Sequence, residues 1–287
     1  MNNNAVDLHV HSNKSDGTLT PAELVRYAAS KGLKAMALTD HDTVEGLDEV
    51  LKTAKETENA PEIVKGVELS TDLDGKDIHI VGLFIDHKNK GFEDYLSRFI
   101  VLREKRNKDM CDALREGLQM DITIEKLTAA FPGSVMTRAH FARYMLDRGF
   151  IKSMDEAFDR WIGDGKPYYI PRNKVTPEEG VEVILKAGGL PVLAHPILYR
   201  YSKERLEKLV SSLKEAGLVG IESIYSTYSV SDTRYIKELA KRFDLLESGG
   251  SDFHGSNKKT IDLMTGTGKL YVPYKVFEKL KKRAGKQ

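Results

Sequence analysis

The sequence predicts an α/β protein, a seven-stranded βα barrel interrupted by a block of helices. Three observations carry this. Short apolar runs alternate with amphipathic helical stretches up to about residue 91 and again from about residue 177, the pattern of strands joined by crossover helices. Seven such runs can be counted, and several end in histidine or a carboxylate. Between the two alternating parts, residues 92–165 read as consecutive charged helices with no obvious strand.

The first strand covers about Val6 to His11, and a polar loop with Asp16-Gly17 follows. Thr20-Pro21-Ala22-Glu23 offers an N-cap, a proline for the first helical position and a capping-box glutamate. The helix it opens runs to Lys31 and stops at Gly32. Leu33 to Leu38 is a short apolar strand ending in Thr39-Asp40-His41-Asp42, and a second helix spans Val44 to about Glu58. The runs Ile63–Leu69 and Ile78–Ile85 are separated only by Ser70–Asp77, which contains the turn pair Asp74-Gly75. That is too short for a crossover helix, so the two strands pair as an antiparallel hairpin. Glu68 and His79 are thereby brought to one end of the sheet.

Helices are then expected over Phe92–Gly117, Ile124–Ala130, Thr137–Arg148 and Ser153–Trp161, bounded by Gly91 and by Gly163-Asp164-Gly165. This divides the chain into a discontinuous barrel domain, residues 1–91 and 166–287, and an inserted helical cap domain, residues 92–165. Pro167–Pro171 is expected to lead back in extended form. The alternation resumes with a helix over Pro177–Ala187, a strand from Leu190 to Ala194 stopping at His195-Pro196, and a helix over Lys203–Ala216. A strand over Val219–Ser223, a helix over Ser231–Phe243 and a strand over Leu245–Ser248 follow, the last entering Gly249-Gly250-Ser251-Asp252-Phe253-His254-Gly255.

Composition narrows the function classes. The 287 residues are 40% hydrophobic and 30% charged, as in an ordinary globular protein. A net charge of +1 gives no broad attraction for long duplex nucleic acid, so a phosphorylated substrate must be held locally. The lone Cys111 excludes an intrachain disulfide and suits a reducing cytoplasm. No apolar run reaches the length of a membrane span, and Met1-Asn2-Asn3-Asn4 leads almost directly into the first strand, leaving no room for a signal peptide. A cytoplasmic protein is expected.

The chemistry gathers at the strand ends. His9 and His11 are two apart in a strand, which puts both imidazoles on one face, where neutral rings share a divalent cation. Seven of the eight histidines stand at or near the end of an expected strand, where barrels of this class build their active sites. With His9 and His11 come Asp40 and His41, Glu68, His79, His195, Asp252 and His254. Nitrogen and oxygen ligands without thiolate suit Mn²⁺, Fe²⁺ or Zn²⁺. They are too many for one ion, and a carboxylate such as Glu68 bridges two. Paired ions hold a bridging hydroxide and polarise a phosphate for in-line displacement.

Asp7-Leu8-His9-Val10-His11-Ser12, Leu38-Thr39-Asp40-His41-Asp42, Gly66-Val67-Glu68, Ala194-His195-Pro196 and Gly250-Ser251-Asp252-Phe253-His254-Gly255 resemble, in order, the motifs of the polymerase and histidinol phosphatase (PHP) family. The resemblance implies a distorted (βα)7 barrel and a metal-dependent phosphoesterase with two or three divalent ions. It implies a first metal on His9, His11, Glu68 and Asp252, a second on Glu68, His79 and His195, and a third on Asp16, His41 and His254. The inserted helices resemble those of family members acting on 5′-AMP, 3′,5′-bisphosphate nucleotides or the 5′ end of short oligonucleotides. Thr137-Arg138-Ala139-His140-Phe141-Ala142 resembles their motif whose arginine faces the substrate phosphate, with Ala139 where proline or threonine is usual.

The expected activity is hydrolysis of a phosphate ester by direct attack of a metal-bridging hydroxide, on a small nucleotide or short oligonucleotide. Glu68, Arg138 and His140 are the expected catalytic residues, and Arg138, His140 and Tyr168 the expected substrate contacts. Asp7 and Asp40 read as supports for the ligands, Asp42 as a support or as the N-cap of the next helix. Lys166 and Arg172 read as surface charges. The rival readings are a histidinol-phosphate phosphatase, a metal-binding PHP module without activity, and an amidohydrolase. The last would carry a lysine bridge where Glu68 stands.

Overall fold

The computed structural model describes residues 4–171 and 175–285; Arg172 lies outside the described residues. The chain opens with β1 (Ala5–Val10), α1 (Pro21–Ser30), β2 (Ala35–Leu38) and α2 (Leu47–Glu56), then the hairpin of β3 (Glu62–Leu73) and β4 (Lys76–Leu83). Four helices follow: α3 (Lys90–Leu118), α4 (Ile124–Ala130), α5 (Arg138–Asp147) and α6 (Met154–Ala157), the last running on as a π-helical turn over Phe158–Ile162. The alternation returns with α7 (Pro177–Lys186), β5 (Leu190–Leu193), α8 (Lys203–Glu215), β6 (Gly220–Tyr225), α9 (Val230–Arg242) and β7 (Leu246–Gly250). The short β8 (Val272–Pro273) and α10 (Tyr274–Arg283) end it. No helix among the described residues is long and apolar enough to cross a membrane.

Local signals set several boundaries. The α1 box forms in both directions, with Thr20 N–H donating to Glu23 at 2.8 Å and Glu23 N–H to Thr20 Oγ1 at 3.2 Å. Thr176 and Glu179 do the same at the start of α7. Two stretches differ from expectation. Residues 166–169 turn rather than extend, with Tyr168 N–H on Trp161 O and Tyr169 N–H on Lys166 O. Strand β3 runs on to Leu73, so Glu68 stands mid-strand.

The strands form one sheet in the order β7-β6-β5-β4-β3-β2-β1-β8. All neighbours from β1 to β7 are parallel except β4, which is antiparallel to both β3 and β5. That inversion is the expected hairpin, and it delivers the first residues of β4 to the end where the other strands finish. The sheet nearly closes on itself: Asp252 N–H donates to His9 O at 2.9 Å and His11 N–H to Phe253 O at 3.0 Å. A Cβ on Gly250 would stand 2.5 Å from His9 Cβ, so only glycine lets β7 come this near β1. At the opposite end, β8 pairs antiparallel with Ala5 and Val6. Among the described residues the sheet has eight strands where seven are expected; the extra β8 has only two residues and so no period to read, and no helix is expected from the sequence over α10.

Two apolar layers hold the barrel. The interior packs Val6, Leu8, Ala37, Val64, Val81, Leu83 and Val192, and α10 closes its lower end with Phe277 and Leu280. The outer face of the sheet, including Met36, Leu38, Leu69, Ile80 and Ile221, packs under the helices. A bulge between Asp7 and Val10 breaks the strict alternation of β1, so His9 turns inward next to the inward-facing Leu8. Helices α3 to α6 have their own core of Met110, Leu114, Leu127, Phe141, Met145 and Ile162. The long α3 joins the two bodies, with Phe92 and Leu96 in the barrel's outer layer and Met110 and Leu114 in the inserted core.

Candidate metal centre

The strand ends and β4 project their polar residues into one buried cluster centred on Glu68. Its Oε2 lies 3.1 Å from His9 Nε2, 3.2 Å from His11 Nε2 and 3.2 Å from His41 Nδ1. Its Oε1 lies 2.9 Å from His79 Nδ1 and 3.0 Å from His195 Nε2. One carboxylate therefore meets five imidazoles. Asp252 Oδ1 stands 3.3 Å from His11 Nε2 and 3.3 Å from His254 Nδ1. Asp16 Oδ1 is 3.1 Å from His254 Nε2, and Asp16 Oδ2 is 3.8 Å from His41 Nε2. All nine residues expected to hold metal are thus brought together.

Three overlapping groups have ligand atoms close enough to share an ion: His9–His11–Glu68–Asp252, His11–Asp16–His41–His254 and His41–Glu68–His79. The fit to a cation rests on the orphaned atoms. His9 Nε2, His11 Nε2, Glu68 Oε2 and Asp16 Oδ1 are all buried without a hydrogen-bond partner. Buried polar atoms are normally satisfied, and these four converge as nitrogen and oxygen donors. Divalent cations suit such a site.

Electrostatics agree. Burial would keep His9 neutral, but Glu222, Glu68 and Asp252 hold its pKa well above the ordinary value. Burial also opposes charge on His11, yet the Asp252 and Glu68 carboxylates beside it raise it to about 9. Desolvation drives His41 down to about 3. Burial alone would raise Glu68, but His9, His41 and His79 push its carboxyl well below the usual range. Asp16 behaves alike, burial opposed by His254 and His41. The carboxylates are anionic and pull protons onto two rings, protons that a bound cation displaces.

Around the cluster runs a layer of supports, partly unforeseen. Glu222, at the expected strand end over Val219–Ser223, was assigned no role from sequence. Its Oε1 lies 2.9 Å from His9 Nδ1, and its Oε2 accepts from His195 N–H at 2.7 Å. Tyr225 Oη and Lys258 Nζ hold Asp252 Oδ2 at 2.6 and 2.5 Å. Asp7 takes Ser251 N–H and Met264 N–H, and burial pushes its carboxyl up to about 6. Asp40 accepts from Ser12 and Ser15 in the loop after β1. Asp42 does not cap α2, whose N-cap is Gly46; it holds Ser70 N–H and pairs with Arg103. Asp42, His195 and Asp252 have φ of 53°, 28° and 54°, backbone strain of the kind that gathers at functional sites.

Above the cluster lies a cavity of about 350 Å³. Asp16, His41, His79 and His254 reach it from the cluster, and Arg103, Arg106, Arg138 and Phe158 from the inserted helices. Arg138 lines it with its guanidinium held by Asp77 at 2.8 Å and Asp164 at 2.7 Å. His140 and Tyr168 do not line it. The His140 ring serves the capping box of α5: its Nδ1 accepts from Thr137 N–H at 2.9 Å, and burial pushes its pKa down to about 4. A ring so engaged is a poor general acid. Tyr168 packs beside Trp161 and against Gly117, where an added Cβ would meet its hydroxyl at 2.3 Å. Arg103 and Arg106, unmarked in the sequence, are the unforeseen cationic wall; on a charged helix nothing separates them from solvated arginines. Lys166 is exposed, as expected of a surface charge.

Comparison with known proteins agrees with this geometry. The chain is 38% identical to a 5′-3′ exoribonuclease of Haemophilus influenzae, over 86% of this chain and 89% of that protein. It is 34% identical to a 3′,5′-nucleoside bisphosphate phosphatase of Chromobacterium violaceum, over 90% of each. A solved structure described as a metal-dependent phosphoesterase of Bifidobacterium adolescentis superposes with a TM-score of 0.84 at 27% identity, covering 96% of this chain and 95% of the other. The PHP domain family model matches residues 7–170, which take in both histidines of β1, Glu68 and all of the inserted helices, and the chain belongs to the PHP family.

Proposed function

We propose that the protein is a cytoplasmic phosphoric ester hydrolase acting on 5′-AMP, 3′,5′-bisphosphate nucleotides and short oligonucleotides from the 5′ end. Two or three divalent cations, of manganese, iron or zinc, would sit at the barrel mouth. The observation that carries the reading is the Glu68 carboxylate among five imidazoles, beneath a cavity walled by arginines. His9, His11, Glu68 and Asp252 would hold the first ion, Glu68, His79 and His195 the second, and Asp16, His41 and His254 the third. When bound, such ions activate water as the nucleophile and neutralise the phosphoryl oxygens.

The chain's own residues prepare that chemistry. Glu222 fixes the His9 tautomer by taking Nδ1–H, so Nε2 is left toward Glu68. Tyr225 and Lys258 occupy one oxygen of Asp252 and leave the other facing His11. Residues 92–165 act as a cap domain over a barrel domain of residues 1–91 and 166–287. The cap sets selectivity: Arg106 and Arg138 line the side of the cavity where a substrate phosphate would lie, while Met154 and Phe158 would give an apolar wall for the remainder of the substrate. A cavity of about 350 Å³ suits one nucleotide. The names of the two relatives, an exoribonuclease and a nucleoside bisphosphate phosphatase, also point to phosphate esters of RNA and nucleotides.

The test is a side-by-side assay on protein stripped of metal and reloaded with Mn²⁺. AMP, 3′,5′-bisphosphoadenosine, a 5′-phosphorylated oligoribonucleotide and histidinol phosphate are the substrates. Turnover of the nucleotides, abolished by chelator, is expected. Histidinol phosphate turned over faster than any nucleotide would overturn the substrate assignment.

A further inference from the structure

Two of the contacts that the inserted helices make with the barrel mouth bear on the same group of ligands. The first is Arg103 of α3, buried at 3% exposure. Its Nη2 pairs with Asp42 Oδ2 and donates to Ser70 Oγ at 3.2 Å. Asp42 follows His41 in the chain and holds Ser70 N–H at 2.7 Å, while Ser70 Oγ lies 3.4 Å from His41 Nδ1. Arg103 therefore braces His41 from its backbone neighbour and from the strand beside it.

The second contact starts from the same turn of α3. Arg103 Nη1 and Asn107 Nδ2 both donate to Met136 O, at 3.2 and 3.1 Å. The next residue, Thr137, donates through Oγ1 to Asp16 Oδ2 at 2.9 Å. One oxygen of Asp16 is thus held by the insertion, and the other faces His254 Nε2 at 3.1 Å. The His9–His11–Glu68–Asp252 group is braced instead by barrel residues, Glu222, Tyr225 and Lys258.

We propose that the inserted helices build one cation site of the cluster: Arg103 and Thr137 are positioning residues for the ion held by Asp16, His41 and His254. The insertion then governs the occupancy of that site separately from the sites the barrel braces on its own. This rests on the metal reading of the cluster. The physical reason is preorganisation. Without Thr137 the Asp16 carboxylate loses the hydroxyl that fixes one of its oxygens, and without Arg103 the buried Asp42 carboxylate loses the guanidinium paired with it beside His41.

The experiment is calorimetric titration of the metal-stripped full chain with Mn²⁺, together with counting of tightly bound Mn²⁺ by elemental analysis. Wild type is expected to show more than one class of site. Thr137→Val, nearly isosteric, should weaken one class about tenfold or more and leave the rest within about twofold; Thr137→Ser, which keeps the hydroxyl, should restore it. Arg103→Met should weaken the same class and Arg103→Lys recover part of it. Far-ultraviolet circular dichroism and the thermal midpoint confirm that each variant folds, and Thr137→Val decides the matter if Arg103→Met does not fold. Unchanged binding in Thr137→Val, or equal weakening of every class in a folded variant, would overturn the proposal while leaving the metal reading intact. A wild type that binds no Mn²⁺ would overturn the metal reading itself, and this inference with it.

Discussion

The barrel mouth and the inserted helices face one cavity, but they are built to different tolerances. At the mouth the polar groups are buried, supported by one another and anchored to strand ends whose backbone is strained at Asp42, His195 and Asp252. The insertion carries its own apolar core and meets the mouth through a few polar side chains, chiefly Arg103, Thr137 and Arg138. A ligand in the mouth has almost no room to move, whereas an arginine spanning two bodies adapts to small shifts between them. Reaction chemistry belongs in the first kind of region, and choice of substrate in the second.

The sharpest way to break this contrast is at Glu68. Glu68→Ala removes the carboxylate that five imidazoles share. Activity should fall by about a thousandfold or more, with loss of bound metal. The fold should survive, since the apolar layers below do not depend on this carboxylate. Near-normal turnover with unchanged metal content would show that the mouth is not where the chemistry happens.

Glu222→Gln sharpens the comparison within the mouth. Gln keeps a carbonyl for one of the two hydrogen bonds but loses the charge that favours the His9 tautomer. Metal affinity or activity should drop about ten- to a hundredfold, the usual effect of removing a partner behind a ligating histidine. A drop confined to KM, with metal binding unchanged, would move Glu222 from the ligands to the substrate.

The same contrast explains what could be read from the residues alone. Few side chains bind a cation, so His9, His11, His41, Glu68, His79, His195, Asp252 and His254 stand out at or near the expected strand ends, Asp16 joins them only through the family resemblance, and the hairpin of β3 and β4 follows from a short linker. Glu222 does not stand out, because its partner His9 is far away in the chain and no histidine adjoins it. In the insertion the signals mislead. His140 sits three residues after Thr137, where a glutamate would be read as a capping box; the imidazole fills that place here, and nothing in the sequence separates that use from a catalytic one. Tyr168 carries the apolar and polar character of a base-stacking residue but fills a notch at Gly117. An arginine's role depends on which carboxylates the fold brings to it, and pattern along a helix says nothing of that.

Arg138 is where the two regions compete for one side chain, and it should show the smallest effect. Its guanidinium lies in the cavity wall, bonded to Asp77 from the barrel and Asp164 from the insertion, with the Tyr169 ring 4.9 Å away. Two carboxylates already balance its charge, so a substrate phosphate gains from it only by displacing one of them. Arg138→Ala should therefore lower kcat/KM only about tenfold, or ~1.4 kcal/mol. Asp77→Asn supplies the opposite arm, weakening one competitor for the guanidinium, and should lower KM about twofold while leaving kcat nearly unchanged. If Arg138 is only a strut between barrel and insertion, both variants lower the thermal midpoint and neither moves KM. Steady-state kinetics on AMP with thermal melts of each variant separates the two, because a phosphate contact makes the KM effects opposite in sign.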